Sequence, residues 1–233
     1  GKGGSMHMFS KEKDFYGGHG IVGGCIPLGV GIAFALKYRG EERACLTFFG
    51  DGASNIGTFH EAANLAGLYG LPVVLIIENN DYAMGTSVIR SAAEPELYKR
   101  ASSYNMKGRV VNGMDVFSVY EAVSEHLERA RAGEPSLLEI RTYRYEGHSM
   151  SDPAQYRSKE ELEEFKGRDP LENITKYVQE HDIAGNDELE TIDDRVKEQV
   201  QEAIDFAENS PLPPEETIYE DIYEQEDFPF LTD

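Results

Sequence analysis

Two largely apolar runs of strand length, "ACLTFF" at 44–49 and "PVVLII" at 72–77, flank a stretch of helical character. Each run is short and bounded by charge, glycine or a polar pair, the signature of a strand buried within a sheet. Between them, Ile56, Phe59, Ala63 and Ala66 share one helical face of "SNIGTFHEAANLAGLY". Gly70 stands where a C-terminal cap belongs, and Pro72 prevents continuation. Strand, helix and strand in so little chain make a βαβ unit, with parallel strands and a right-handed crossover. Asp51 and Asn80 then lie just past the carboxyl ends of neighbouring parallel strands. That edge is where open α/β sheets bind ligands.

The pattern continues on both sides. "CIPLGVGIAFALKYRG" carries apolar residues at helical spacing and ends on Gly40. Gly29 and Gly31 weaken that helix by about 1 kcal/mol each relative to alanine, so both predict close packing against a neighbouring backbone. Downstream, a helix is expected around 94–104, a strand at "GRVV", and a helix over 116–131 capped by Asp115 and stopped by Gly133 and Pro135. "SLLEIRTYRY" reads as a strand whose polar alternation suggests a position near the sheet edge. Acidic amphipathic helices follow near 158–166, 169–182 and 188–208, and no internal repeat is present. The fold class expected is α/β: a parallel twisted sheet with flanking helices, followed by acidic C-terminal helices. Its parts are an α/β domain over 1–157, an acidic helical extension over 158–210 packed on the same domain, and a proline-containing acidic tail over 211–233.

Charge separates these parts. Residues 160–233 hold 25 Asp and Glu against 5 Lys and Arg, leaving 18 against 17 for the remainder. Such a surface disfavours nucleic acid and anionic membranes, and it suits either simple solvation or a basic partner. No stretch approaches the ~18 consecutive apolar residues of a membrane span, and no signal peptide opens the chain, which reads as soluble. Cys25 and Cys45 sit in apolar surroundings without metal-site spacing and read as buried reduced thiols.

Asp51 stands between Gly50 and Gly52, a triplet that also makes ordinary turns, and it could cap the following helix. The nearby pair Asn79-Asn80 gives it a second meaning. A carboxylate and an amide oxygen converging on one sheet edge are hard oxygen ligands suited to magnesium, whose coordination is completed by phosphate and water. The glycines let backbone N–H groups approach a phosphate, and the next helix N-terminus favours negative charge. No GxxxxGK[ST] is present, and no GxGxxG joins a strand to a helix, so P-loop and dinucleotide sites are disfavoured.

Gly-Asp-Gly followed by Asn-Asn, with Asp51 and Asn80 29 residues apart, resembles the thiamine diphosphate motif. "GKGGSMHM", "FYGGHGIVG", "FFGDGASNIGTFHEAANLA", "ENNDYAMGTSV", "VNGMDVFSVYEA" and "TYRYEGHSMSDP" extend the resemblance over most of 1–157. In that order they are similar to the alpha subunits of the pyruvate dehydrogenase decarboxylating component, within the thiamine diphosphate-dependent 2-oxo acid dehydrogenase family. The resemblance implies the thiamine diphosphate-binding fold, with Asp51, Asn80 and the Tyr82 backbone carbonyl on Mg2+. It places Ser10, Gly20, Val22, Asp51, Gly52, Ala53, Asn80 and His148 around the cofactor, although the spacing after Ser10 in "FSKEKDFY" is longer than the family's.

The resemblance further implies a beta subunit in an alpha2beta2 heterotetramer, which supplies the carboxylate that activates the aminopyrimidine. The acyl group would pass to a lipoyl domain of the dihydrolipoyl acyltransferase. A further N-terminal segment would precede Gly1 and carry a tyrosine–arginine pair and a histidine, so the isolated chain is expected to be inactive. Localisation would be cytoplasmic in a bacterium and matrix or stroma in an organelle. Acetoin and branched-chain 2-oxo acid dehydrogenases are rivals within the class, and a noncatalytic scaffold is the rival outside it.

His148 alone could be a solvent-facing loop residue; by the resemblance it lies in the active-site channel as the catalytic histidine, suited to proton chemistry near neutral pH. Arg141 and Arg144 precede it and could order its loop or bind anions. Ser149 and Ser87 match regulatory phosphorylation positions of the family, while Ser149, Ser151 and Asp152 also suit plain loop and capping roles. His7 and His19 lie in glycine-rich loops that could line the site, and His60 is expected to be packed.

Overall fold

The computed structural model describes residues 6–220, so residues 1–5 of the glycine-rich opening and 221–233 of the acidic tail lie outside the described residues. The described residues fall into two compact units, one over 6–175 and one over 176–220. The first holds α1 (Cys25–Arg39), β1 (Cys45–Gly50), α2 (Gly57–Tyr69), β2 (Val73–Asn79), a hairpin of β3 (Tyr82–Ala83) and β4 (Thr86–Ser87), and α3 (Val88–Ser91). It continues through β5 (Lys107–Asn112), α4 (Val116–Arg131), β6 (Ser136–Arg141) and α5 (Lys159–Lys166). The helix α6 (Pro170–Glu180) crosses the boundary, and the second unit contains α7 (Asn186–Asn209) and a 3-10 turn at Glu215–Tyr219.

β1, β2, β6 and β5 form one parallel sheet in that order. This is the expected α/β architecture. Residues of β2 alternate between its faces: Val73, Leu75 and Ile77 join Ile26, Val30, Phe59 and Ala63 of α1 and α2, while Val74 and Ile76 join Ala122 and Ala130 of α4. Gly40 and Gly70 end α1 and α2 in the left-handed conformation, each satisfying late helical carbonyls. Asp115 caps α4 as its sequence predicts, accepting from Phe117 N at 3.0 Å and Ser118 Oγ at 2.6 Å.

Three expectations are corrected. β6 is a central strand: its Glu139 is fully buried and hydrogen-bonded, so polarity there marks an internal network and not an edge. The segment expected as a helix over 94–104 coils more tightly, as a 3-10 helix over Leu97–Tyr104, pinned at Tyr98 N by Glu139 and at Arg100 by Ser54. Of the two glycines in α1, only Gly29 marks a close approach. A Cβ there would fall 2.0 Å from Thr47 Oγ1 of β1, whereas one at Gly31 would meet nothing within 4 Å.

Candidate active site

Asp51 follows the last residue of β1 and opens a 3-10 turn over Gly52–Asn55. Its backbone is right-handed helical and its side chain caps nothing, which removes the capping role. The residue is 3% exposed, and its Oδ2 is shielded from solvent with no hydrogen-bond partner. Burial pushes its carboxyl above the usual carboxylate range; a bond to its own backbone and the Arg144 guanidinium oppose the rise, while Asp81 adds to it. Leaving such an oxygen unpaired is costly unless a cation completes it.

The turn is braced from behind. Ser54 Oγ donates to Asp51 O at 2.6 Å, and Arg100 reaches across from the Leu97–Tyr104 segment to Ser54 Oγ at 3.0 Å and Asn55 Oδ1 at 2.7 Å. A Cβ at Gly52 would lie 2.6 Å from the Cβ of Ala83, so β3 packs against this glycine and leaves no room for a side chain. A Cβ at Gly23 would fall on Ile56 and 3.7 Å from Ala53, which brings the loop of Gly20 and Val22 beside the same turn. His7 lies against Gly20, and Val22 is 72% exposed. Ser10 bonds within its own turn, pairing with Phe15, and makes no described bond to the Asp51 turn.

Across the sheet edge the chain reverses after β2. Asn79 is buried; Asn80 is partly exposed, and its Oδ1 accepts from Tyr82 N at 3.3 Å. Asp81 takes a left-handed φ of 71°. The Tyr82 carbonyl accepts from Arg144 Nη1 at 2.8 Å, which leaves its second lone pair free. Tyr82 Oη and Tyr143 Oη both donate to Glu161 Oε1 of α5, at 2.9 and 2.8 Å. Burial first, and then that carboxylate, push both phenols up to about 12.

Asp51, Gly52, Asn80 and Tyr82 therefore meet at the carboxyl ends of β1 and β2. Among the described residues no three His, Cys, Asp or Glu side chains cluster to hold a metal. One carboxylate with an amide and a carbonyl oxygen is an underfilled set; it fits Mg2+ whose remaining positions go to diphosphate and water. A cleft of about 620 Å3 opens beyond the ends of β2, β6 and β5, lined in part by Asn79, Asp81, Asn112, Arg141 and Arg168.

His148 is exposed, on the loop after β6. Its backbone N donates to Asp152 Oδ2 at 2.8 Å, and Tyr156 Oη donates to the same oxygen at 2.8 Å. Arg144 Nη2 bonds Met84 O at 2.6 Å and Tyr156 Oη at 2.8 Å, so a single guanidinium ties this loop to the Tyr82 hairpin. Arg157 holds the loop's base through the carbonyls of Arg144, Tyr145 and Glu146. Of the two arginines suspected of ordering the loop, Arg144 does so and Arg141 turns to Glu139. Ser149 is exposed, its Oγ 3.2 Å from Ser151 Oγ; Ser87 closes the β3–β4 hairpin.

His19 is exposed; His60 is also exposed and paired through Nδ1 with Tyr104 Oη. Both cysteines are free and half-buried, with burial pushing their thiols up, away from reactivity. Arg100, Glu139, Tyr156 and Arg157 went unnoticed in the sequence. Only the placement of Arg157 and Tyr156 just after the histidine loop could have drawn attention to them.

The model of the family described as "Dehydrogenase E1 component" matches residues 1–216. Among curated proteins, the pyruvate dehydrogenase E1 component subunit alpha of Rickettsia bellii is 54% identical over 224 residues, 96% of this chain and 69% of that protein. Its counterpart from Rhizobium meliloti is 50% identical over 224 residues, covering 95% of this chain and 64% of the relative. The chloroplastic subunit alpha-3 of Oryza sativa is 42% identical over 233 residues, covering 96% and 55%. A parallel sheet with glycine-flanked Asp51 at its carboxyl edge and a family match over nearly the whole chain agree: this chain belongs to the dehydrogenase E1 component family.

Proposed function

We propose that this chain acts as the alpha subunit of a thiamine diphosphate-dependent pyruvate dehydrogenase, in oxidative decarboxylation of pyruvate with transfer of the acetyl group to a lipoyl domain. The observation that carries the reading is the shielded, unpartnered Asp51 oxygen beside a glycine that the opposite turn approaches closely. Asp51, Asn80 Oδ1 and Tyr82 O would hold Mg2+, and the backbone around Gly20, Val22, Gly52 and Ala53 would receive the diphosphate, with Ser10 near the cofactor. When bound, thiamine diphosphate supplies the electron sink for decarboxylation.

His148 holds or moves a proton at its imidazole near the substrate oxygen, on a loop kept in place by Asp152, Tyr156 and Arg144. A beta subunit completes the site in a heterotetramer, so the chain alone is inactive. The pyruvate dehydrogenase relatives favour pyruvate over acetoin and branched 2-oxo acids. No described helix is long and apolar enough to cross a membrane, and bacterial and chloroplastic relatives support a cytoplasmic or stromal setting.

A negative charge at Ser149, whose Oγ lies 3.2 Å from Ser151 Oγ on the His148 loop, would impede the active-site channel; Ser87, on the hairpin that Arg144 grips, is the second candidate modification position. Near-unchanged turnover of Ser149→Glu would refute this. Decarboxylation assayed on pyruvate, acetoin and branched 2-oxo acids, with alpha and beta subunits together, tests the substrate. Calorimetry with Mg2+ and thiamine diphosphate tests the anchor; no binding even with the beta subunit would leave a scaffold.

A further inference from the structure

We infer that Glu139 is a positioning residue for the cation site, fixing the turn that presents Asn80 and Tyr82 by holding the side chain of Asn79. The inference rests on the magnesium–diphosphate reading above. Glu139 lies in the middle of β6 between apolar neighbours and is fully buried. An aliphatic residue would serve the packing there, because a buried carboxylate must first recover its lost hydration. This one accepts three hydrogen bonds: from Asn79 Nδ2 at 2.9 Å, Arg141 Nε at 3.0 Å and Tyr98 N at 3.0 Å.

The bond to Asn79 decides which way that amide faces. With Nδ2 given to Glu139, Asn79 Oδ1 turns to accept from Asp81 N at 3.0 Å. The Asn79 carbonyl meanwhile accepts from Thr142 N at 2.8 Å, which fastens the turn to the end of β6. Those bonds hold Asp81 in its left-handed conformation, a geometry that is unfavourable for a non-glycine residue and persists only when its surroundings impose it. Asn80 and Tyr82 flank Asp81, so their oxygens point where this turn sends them.

The third bond reaches the other arm. Tyr98 N belongs to the 3-10 segment whose Arg100 grips Ser54 and Asn55, and Ser54 in turn bonds Asp51 O. Glu139 is the junction of an internal brace running from Asn79 to Asp51, and the brace sets the spacing between the two oxygen-bearing arms independently of solvent-facing loops.

Glu139→Gln keeps the shape but can accept on one oxygen only. Either orientation of its amide faces N–H groups with N–H groups, at Tyr98 or at Asn79 and Arg141. In the assembled enzyme with thiamine diphosphate, a titration with Mn2+ read by electron paramagnetic resonance should show a dissociation constant raised about 10- to 100-fold. Saturating Mg2+ should restore kcat while KM for pyruvate stays unchanged.

Wild-type Mn2+ affinity in a folded Glu139→Gln enzyme overturns the inference, whether or not metal-free unfolding shifts. So does a fall in kcat that no Mg2+ concentration repairs. If that variant does not assemble, Asn79→Ser decides, since it leaves Glu139 its bonds from Tyr98 and Arg141; unchanged Mn2+ affinity there is equally fatal. Cofactor binding without any metal requirement in the wild type would instead overturn the functional reading, and this inference with it.

Discussion

The Asp51 turn and the His148 loop belong to one proposed site, yet they are held by opposite means. Asp51 is 3% exposed and Ser54 is fully buried, and the turn is fastened to a distant segment through Arg100. His148 is exposed, and its loop hangs on one carboxylate, one phenol and two arginines, all only partly buried. The first is a preformed anchor that, in the proposed reading, a cation would complete. The second is a conformation sustained by a few replaceable bonds, as suits a loop proposed to face the substrate.

Substitutions should separate the two, beginning with the largest effect. Asp51→Asn should abolish Mg2+-dependent cofactor binding by calorimetry, beyond the about 100-fold typical of residues that merely support a metal ligand. The metal-free unfolding midpoint should hold or rise, because an unpaired buried charge is gone. A marked loss of metal-free stability would mean that Asp51 has a structural partner after all. His148→Ala should lower kcat by about 100-fold or more while Mg2+ and cofactor affinity stay at wild-type values. Coupled loss of both would erase the distinction between anchor and loop.

Tyr156→Phe removes the link between Arg144 and Asp152. Amide exchange across 147–152 should accelerate about fivefold, equivalent to about 1 kcal/mol, with the Gly52–Asn55 amides unaffected. The smallest effect is a contrast in pH. Asp51 has a raised folded-state pKa, so its penalty in the metal-free protein grows as pH rises from the unfolded value toward the folded one, and it is relieved by acid. Asp152 has a lowered one, chiefly through the His148 backbone N–H, then Ala154 N–H and Tyr156. Its stabilisation is present above the unfolded value and fades as pH falls through the folded one. Exchange measured during acidification should therefore show the Asp51 turn tightening first, above the unfolded carboxylate value of about 3.9, and the loop loosening only below it.

Much of the scaffold was legible in the sequence because its determinants are local. Gly40, Gly70 and Asp115 end or start helices at the positions their chemistry demands, and the two apolar runs pair in parallel. Misreadings arose where a residue answers to something far along the chain. Glu139 made β6 resemble an edge strand because its partners Asn79 and Tyr98 are 60 and 41 residues away. Arg100 is 46 residues from Ser54, a pairing that no spacing rule encodes. Gly31 shares the helix of Gly29, but only Gly29 faces β1. For the proposed site, the residues assigned to the cation come from a motif, while the bonds around them, such as Glu139 to Asn79, answer to none.

The solitary oxygen of Asp51 also bears on how long such a subunit would last in a cell. A ligand that binds only the folded state deepens its stability by about 2.7 kcal/mol when present at a hundred times its dissociation constant. Subunits short of magnesium and cofactor would sample unfolded states more often and be the first removed by proteolysis. Enzyme abundance would then follow vitamin and metal supply without any dedicated sensor.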